Sequence, residues 1–199
     1  MSKVVAESRD FDGRDCLWVA LPPNIRKSGL PDVDYIDTEN FVILPIDFST
    51  GTLEVDIYTT LAHDAQPEDR GFSGLAYHID EDLKNFESVY IRGTNGLKEN
   101  PPAPRDARGI QYFAFPDAKF DILRENSPGV YEAPANLGLN EWITLKLEVN
   151  DKGVTSYVNG EKVLVVDGSL CKTTSGRVGL RVDIGTEAYF SNLSVTYSN

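Results

Sequence analysis

The chain has 199 residues and a formal net charge of −12 at pH 7, with 19 Lys and Arg against 31 Asp and Glu. Hydrophobic residues make up 41% of it and include nine Tyr and nine Phe, which is enough for one sizeable core and excludes a disordered chain. The acidic balance argues against nucleic acid and membrane surfaces as partners, because both are negatively charged. The length fits a single domain over residues 1–199.

The first residues lack the apolar core of a signal peptide, and no run of 18 apolar residues occurs. As given, the sequence predicts a cytoplasmic protein, or a secreted or periplasmic one if a signal peptide has been removed. Cys16 and Cys171 lie near opposite ends of the chain. Two reduced, buried thiols are favoured over a disulfide, because there are only two cysteines and no export signal.

An N-terminal segment, residues 1 to about 40, is predicted to wrap the domain before the first long strand. The stretch 21–37 carries three prolines and reads as irregular. The sandwich itself is predicted over about 41–197. Short alternating runs recur there between Gly, Pro, Asn and Asp residues, whereas helical periodicity is almost absent.

The alternating runs predict strands with one core face and one outward face. In the clearest run Leu53, Val55 and Ile57 alternate with polar residues. Asn159-Gly160 predicts a tight hairpin, because both residues accept positive φ. Together the runs predict an all-β fold, a two-sheet antiparallel sandwich of the jelly-roll, concanavalin A-like kind. The predicted strands are 51–58, 74–79, 86–92, 142–149, 154–158, 162–166, 177–184 and 188–196.

The segment 95–108 cannot be a central strand, because its prolines lack the backbone donor that a sheet requires. It also carries Lys98, Arg105 and Arg108. Two interpretations stay open: a lid over a ligand groove, or a disordered surface excursion.

Several short pieces follow one another in an order that is known from a protein superfamily. They are Gly51-Thr-Leu-Glu-Val-Asp-Ile, Arg70-Gly-Phe-Ser-Gly-Leu-Ala-Tyr, Phe86-Glu-Ser-Val-Tyr-Ile-Arg, Gln111-Tyr, Asn140-Glu-Trp-Ile, Tyr157-Val-Asn-Gly, Gly176-Arg-Val-Gly-Leu and Ala188-Tyr-Phe-Ser-Asn-Leu. This order resembles the concanavalin A-like lectin/glucanase superfamily over roughly residues 40–197. Within the superfamily it is similar to the laminin-G-like sandwiches and to the 3-keto-disaccharide hydrolase domain family. The resemblance implies a ligand site on the concave sheet or its rim loops, sugar chemistry, and in many members one structural calcium.

Laminarinase-like glucanases in this superfamily carry a strand that reads Glu-x-Asp-x-x-Glu or Glu-x-Asp-x-Glu. Glu54 and Asp56 match its start, but Tyr58 and Thr59 stand where the second glutamate belongs. Retaining glycosidases need two carboxyl groups about 5–5.5 Å apart. Catalysis of the glucanase type is therefore disfavoured.

Polar and aromatic residues occupy the strand positions that alternate with the core. We predict a central site of His78, Tyr90, Arg92 and Gln111, in which His78 could serve as a general base near neutral pH. The alternative is that these residues form an ordinary solvated strand face. The candidates are His78, Glu54 and Asp56 for catalysis, and Tyr58, Tyr90, Arg92, Gln111, Lys146 and Arg181 for ligand binding.

The scattered His and Cys residues give no transition-metal ligand set, and no cofactor is certain. Structural calcium is possible at the acidic loops 10–15 or 80–82. Three functions stay open: a carbohydrate-directed protein that binds or cleaves a glycoside, an isomerase or cyclase that acts on a small apolar metabolite, and a noncatalytic interaction domain. Whether the protein is an enzyme and how it oligomerises stay open as well.

Overall fold

The computed structural model describes residues 3–198, whose strands form two antiparallel sheets. The seven-stranded sheet has the spatial order β1 (Val5–Phe11), β2 (Arg14–Ala20), β13 (Thr186–Tyr197), β4 (Gly51–Leu61), β9 (Trp142–Asn150), β10 (Gly153–Val158) and β11 (Glu161–Asp167). The six-stranded sheet has the order β3 (Phe41–Phe48), β12 (Gly176–Val182), β5 (Phe72–Ile79), β6 (Phe86–Arg92), β7 (Ile110–Phe115) and β8 (Glu132–Ala133). Two short helices are α1 (Pro23–Ser28) and α2 (Phe120–Asn126). The predicted all-β, two-sheet antiparallel sandwich is confirmed.

All eight strands predicted from alternation are present, as β4, β5, β6 and β9 to β13. The Asn159-Gly160 turn joins β10 to β11, and both of its residues have positive φ. Leu53, Val55 and Ile57 are fully buried. Period-two alternation therefore located the strands that cover the main core.

The predicted start of the sandwich near residue 41 is corrected by the structure. Strands β1 and β2 form a hairpin, and β2 pairs with β13, so residues 5–20 belong to the seven-stranded sheet. β1 lies at the sheet edge, where most of its side chains are exposed on both faces, and it therefore shows no alternation in sequence. Only the stretch that follows β2 crosses over to the six-stranded sheet.

The two sheets enclose one apolar cluster, to which strands of both sheets contribute. Leu53, Val55 and Ile57 of β4 face Leu75 of β5 and its neighbours across this layer. At one edge Thr59 and Ser73 form a buried hydrogen bond of 2.5 Å between the sheets. Burial of these apolar faces is the main stabilising contribution to the sandwich.

The six-stranded sheet is buried on its second face as well. Every residue of β6 is buried, and in β5 only Phe72 is partly exposed. The segment before β3, the connection 93–109 and helix α2 lie over this face. For example, the Phe120 amide donates to Asp37 Oδ2 at 2.9 Å. Polar side chains on this face must therefore find partners inside the protein.

The helices are minor elements of six and seven residues. Among residues 3–198 no helix has the length and apolar character needed to span a membrane. Both cysteines are free thiols, Cys16 buried and Cys171 partly exposed. The prediction of two unpaired thiols therefore agrees with the structure, but the prediction that both are buried is wrong for Cys171.

Replacing Leu145 by Ala should destabilise the sandwich by about 2–5 kcal/mol, because a buried cavity would form opposite Val55. Urea unfolding followed by fluorescence measures the change. Val165→Ala on β11, where the side chain is 47% exposed, is the control and should change the free energy of unfolding by less than about 0.5 kcal/mol. Equal effects of the two substitutions would contradict the position of the core.

Candidate functional site

A cavity of about 570 Å³ lies at one end of the covered face of the six-stranded sheet. Its volume is within the usual range for small-molecule sites. The ends of β5 and β6, helix α2, the connections on either side of these strands and the segment before β3 all contribute to its walls. The lining residues are Arg26, Tyr35, Ile36, Asp37, Gln66, Glu68, Asp69, Arg70, Phe72, Tyr90, Arg92, Asn95, Arg105, Arg108, Phe120, Arg124, Asp183 and Ile184.

Tyr90, Arg92 and Gln111 meet at the base of this cavity. Tyr90 lies directly opposite Gln111 in the pairing of β6 with β7, and Arg92 follows two residues later on the same face. Arg92 Nη2 donates to the Tyr90 hydroxyl at 3.2 Å and to Gln111 Oε1 at 3.0 Å. Burial raises the pKa of Tyr90 well above its ordinary value, despite the charge of Arg92. Tyr90 is therefore a neutral hydroxyl at physiological pH.

Glu132 of β8 binds three arginines on the same side of the cavity. Arg124 donates from Nε and Nη2 to the two Glu132 oxygens at 3.0 and 2.6 Å. Arg108 Nε lies 3.2 Å from Oε1 and Arg92 Nη1 lies 3.4 Å from Oε2. Burial raises the pKa of Glu132, but the hydrogen bonds and charge of Arg124, together with the charges of Arg92 and Arg108, lower it more. Glu132 is therefore a carboxylate, and its ion pairs hold Arg92, Arg108 and Arg124 together on this side of the cavity.

On the opposite side of the cavity, where β12 meets the segment before β3, Arg181 holds two carboxylates. Its Nη2 lies 2.9 Å from Asp183 Oδ2 and 3.5 Å from Asp37 Oδ1. Gly74 separates Arg181 from Tyr90 in the strand register, so the guanidinium reaches a position 5.5 Å from the Tyr90 ring centroid. Burial raises the pKa of Asp37, and the charge of Arg181 only partly offsets this effect. Asp37 and Asp183 thus lie together on this side of the cavity, around the Arg181 guanidinium.

Aromatic rings complete the walls. Phe72 packs edge to face against Tyr90, with ring centroids 5.6 Å apart. The Arg92 guanidinium lies 5.8 Å from both the Phe72 and the Phe120 ring centroids. The cavity thus combines apolar ring surfaces with fixed hydrogen-bond donors and acceptors, as ligand sites commonly do.

The segment 95–108 folds into short 3-10 turns beside the cavity. Arg105 fixes this segment, because its Nε donates to Asn95 Oδ1 at 2.9 Å and its Nη2 donates to the Thr94 carbonyl at 2.7 Å. Arg105 and Arg108 both line the cavity. Of the two interpretations made from sequence, this ordered wall agrees with the lid rather than the disordered excursion.

The predicted grouping of His78 with Tyr90, Arg92 and Gln111 is corrected. His78 is 4% exposed; its Nδ1 lies 3.0 Å from Glu87 Oε1, and its Nε2 lies 2.6 Å from the Ser49 carbonyl oxygen. Glu87 precedes Arg92 by five residues on β6, so it lies roughly 16 Å away along the strand and faces the other side of the sheet. His78 also turns out of the regular strand pattern with a positive φ of 54° at a β-bulge.

Four other predicted site residues, Glu54, Asp56, Tyr58 and Lys146, lie on the outer face of the seven-stranded sheet. Glu54 is directly opposite Lys146. Burial raises the pKa of Asp56, but hydrogen bonds from Thr144 and Asn192 and the charge of Arg14 lower it more. The core separates these residues from the cavity, so the structure does not bring Glu54 and Asp56 together with His78.

The predicted calcium loops make internal contacts in the structure. Asp12 Oδ2 accepts a hydrogen bond from Trp142 Nε1 at 2.9 Å. Asp80 accepts from the Lys84 amide and from Asn85 Nδ2, each at 2.7 Å. Within residues 3–198 no three His, Cys, Asp or Glu side chains are grouped as metal ligands. Structural calcium stays a prediction.

Sequence reasoning missed several residues of the cavity, chiefly Asp37, Arg70, Phe120, Arg124 and Glu132. They come from connections, a short helix and a two-residue strand, where no alternating pattern points to a face. One signal was available in the composition. Six of the ten arginines of this acidic chain line one cavity, and most of these six lie outside regular strands.

Neither a family model nor a curated protein matches this chain. Several solved structures do. The carbohydrate-binding module CBM66 from Bacillus subtilis has a TM-score of 0.60 at 18% identity, over 97% of this chain and 94% of that chain. A predicted glycosyl hydrolase from Parabacteroides distasonis ATCC 8503 has a TM-score of 0.57 at 16% identity, over 98% and 94%. A Bacillus subtilis protein of unknown function with a galectin-like fold has a TM-score of 0.54 at 14% identity, over 96% and 87%.

At these identities the likeness shows the fold alone. The chain is a β-sandwich of the jelly-roll kind, and the alignments cover nearly all of it.

Glu132→Gln should destabilise the protein by roughly 3 kcal/mol at pH 7, because three buried or half-buried guanidiniums would lose their shared carboxylate. The pKa of Glu132 is lowered in the folded state, so its stabilisation is present above the ordinary carboxyl pKa near 4.3 and is lost as the pH falls through the folded value. The difference from wild type should therefore shrink below about pH 4.

Urea unfolding at a series of pH values tests this expectation. Glu125→Gln is the control, because Glu125 is an exposed carboxylate on the same helix as Arg124. If the difference between Glu132→Gln and wild type were independent of pH, the assigned role of Glu132 would be refuted.

Proposed function

We propose that this protein is a carbohydrate-directed, concanavalin A-like sandwich that binds a short saccharide, or the end of a glycan chain, in the cavity between Arg92 and Asp37. The observation that carries the proposal is the combination of aromatic walls with fixed arginine and carboxylate groups in one cavity. The full-length likeness to a carbohydrate-binding module and to a predicted glycosyl hydrolase supports it.

The chemistry of a sugar fits the two kinds of wall. The apolar face of a sugar ring can pack on the partly exposed rings of Phe72 and Phe120, while its hydroxyls need both donors and acceptors. Arginine nitrogens supply the donors. Asp69 supplies an acceptor, because only its Oδ2 is engaged, by the Gln66 amide at 2.7 Å. Binding therefore requires little rearrangement of the cavity.

Cleavage would need a proton donor near the glycosidic oxygen. Asp69 is the candidate, because it lines the cavity and burial raises its pKa, although the hydrogen bond from Gln66 opposes this shift. We therefore propose binding as the function, and the binding experiment described for Phe120 also measures hydrolysis.

The alternative of a small apolar metabolite suits this cavity less well. Ten of its eighteen lining residues are charged, and an apolar ligand would take them out of water without providing hydrogen bonds in return. A noncatalytic interaction domain would not require a charged cavity of this volume.

Phe120→Ala should weaken saccharide binding about tenfold, because a stacking surface in the cavity would be lost. Binding is first sought on an array of terminal mono- and disaccharides, and the affinity for the best glycan is then measured by calorimetry. The same glycans are analysed by chromatography after long incubation, so that turnover is detected.

Phe11→Ala is the matched control, because Phe11 is a half-buried phenylalanine that stacks on Tyr189 in the other sheet. It should leave the affinity unchanged. If no glycan on the array binds and no turnover is detected, the proposed function is rejected. If both variants lose the same amount of affinity, this cavity is rejected as the site.

A further inference from the structure

Five of the six arginines that line the cavity have few acidic partners, whereas the sixth, Arg26, lies 3.3 Å from Asp64 and 3.7 Å from Glu187. Arg92, Arg108 and Arg124 share one carboxylate, Glu132. Arg105 donates only to uncharged oxygens of Asn95 and Thr94. The arginine wall formed by Arg92, Arg105, Arg108 and Arg124 therefore carries excess positive charge, within a chain whose net charge is −12.

Arg70 adds to the same excess. Its Nη1 donates to the Pro67 and Asp69 carbonyl oxygens at 2.7 and 3.0 Å. In the described part of the chain neither Arg70 nor Arg105 forms an ion pair with a carboxylate. Burial lowers the pKa of Arg70 and the nearby charge of Arg105 lowers it further, whereas the carboxylates of Glu68 and Asp69 raise it. The guanidiniums of Arg70 and Arg105 therefore repel one another, and Glu68 and Asp69 offset part of that repulsion.

Arg92 retains unused hydrogen-bonding capacity. It lines the cavity, is 5% exposed and has no hydrogen-bond partner for its Nε. A buried donor without a partner is costly, because it has given up its hydrogen bond to water. A bound acceptor would remove this cost.

Two carboxylates lie on the other side of the cavity, whereas Glu68 and Asp69 lie beside Arg70. Asp37 and Asp183 cluster at the β3 and β12 side, where Arg181 binds both of them. Arg92 and Glu132 lie at the β6 and β8 side of the same sheet. The cavity is thus polarised across the sheet, with carboxylates on one side and excess guanidinium on the other.

From this polarity we infer that the ligand is an acidic sugar, a hexuronic acid unit. Its carboxylate binds the arginine wall, and its hydroxyls donate to the carboxylates of Asp37 and Asp183 on the opposite side. This inference rests on the proposed function. Arginine suits a carboxylate because its planar fork can donate two parallel hydrogen bonds to the two oxygens. A neutral sugar would leave the positive charge of this wall uncompensated.

The direct test compares sugars that differ only at C6. Calorimetry or NMR titration measures the affinity for galacturonate against galactose and for glucuronate against glucose. Each uronate should bind at least about tenfold more tightly than its neutral partner, because it adds a charge-assisted hydrogen bond. The same sugars with a 6-sulfate report whether charge alone is sufficient.

Substitutions locate the effect. Arg105→Gln and Arg70→Gln should each weaken uronate binding about tenfold and change the affinity for the neutral sugar much less. Arg177→Gln is the matched control, because Arg177 is an exposed arginine on β12 that pairs with Asp47, and it should change neither affinity. Urea unfolding verifies that each variant is folded.

The outcomes separate the two proposals. Equal binding of neutral and acidic sugars by the wild type would overturn the acidic-sugar inference and leave the proposed function in place. A sulfated sugar that binds as tightly as the uronate would overturn the preference for a carboxylate. If no sugar binds, neutral or acidic, the proposed function itself fails. The comparison of uronates with neutral sugars on the wild-type protein tests the acidic-sugar inference even if an arginine variant does not fold.

Discussion

The structure depends on one constraint, the exclusion of water from both faces of the central strands β5, β6 and β7 of the six-stranded sheet. A polar side chain on its covered face cannot rely on solvent, so it must be paired within the protein. Gln111 meets this requirement by binding Arg92 and two backbone carbonyls. Arg181 meets it in part, through Thr38 and Asp183, but its Nε has no hydrogen-bond partner. The cavity lies at the end of this covered face, where pairing is incomplete.

Arginines without a carboxylate partner distinguish this site from two other polar clusters of the molecule. On the outer face of the seven-stranded sheet, Asp56 is saturated by Arg14, Thr144 and Asn192. On the inner side of the six-stranded sheet, Glu87 accepts hydrogen bonds from Tyr112 and Ser169 and contacts His78. These clusters need no ligand, because their own residues satisfy one another. In the described part of the chain Arg70 and Arg105 form no ion pair with a carboxylate, and the proposed acidic-sugar ligand rests on this difference.

Strand geometry alone explains why part of the predicted grouping lies together in the structure. Tyr90 and Arg92 stand two residues apart on one strand, so a shared face follows directly from the period of a strand. Gln111 joins them because β7 pairs with β6, which the sequence could suggest but not establish. His78 was misplaced because a β-bulge, which alternation cannot reveal, turns it away from the pattern of its strand.

The sequence by itself determined the fold class and the strands around Leu53 and Ile57, because burial of one strand face leaves a period-two pattern that can be read locally. Tertiary structure alone decided that β1 and β2 join the sheet, since an edge strand exposed on both faces carries no such pattern. It also decided the site. Arg70, Arg105 and Arg124 come from separate connections and a short helix, and only the packing of those segments over the six-stranded sheet brings their charges into one cavity.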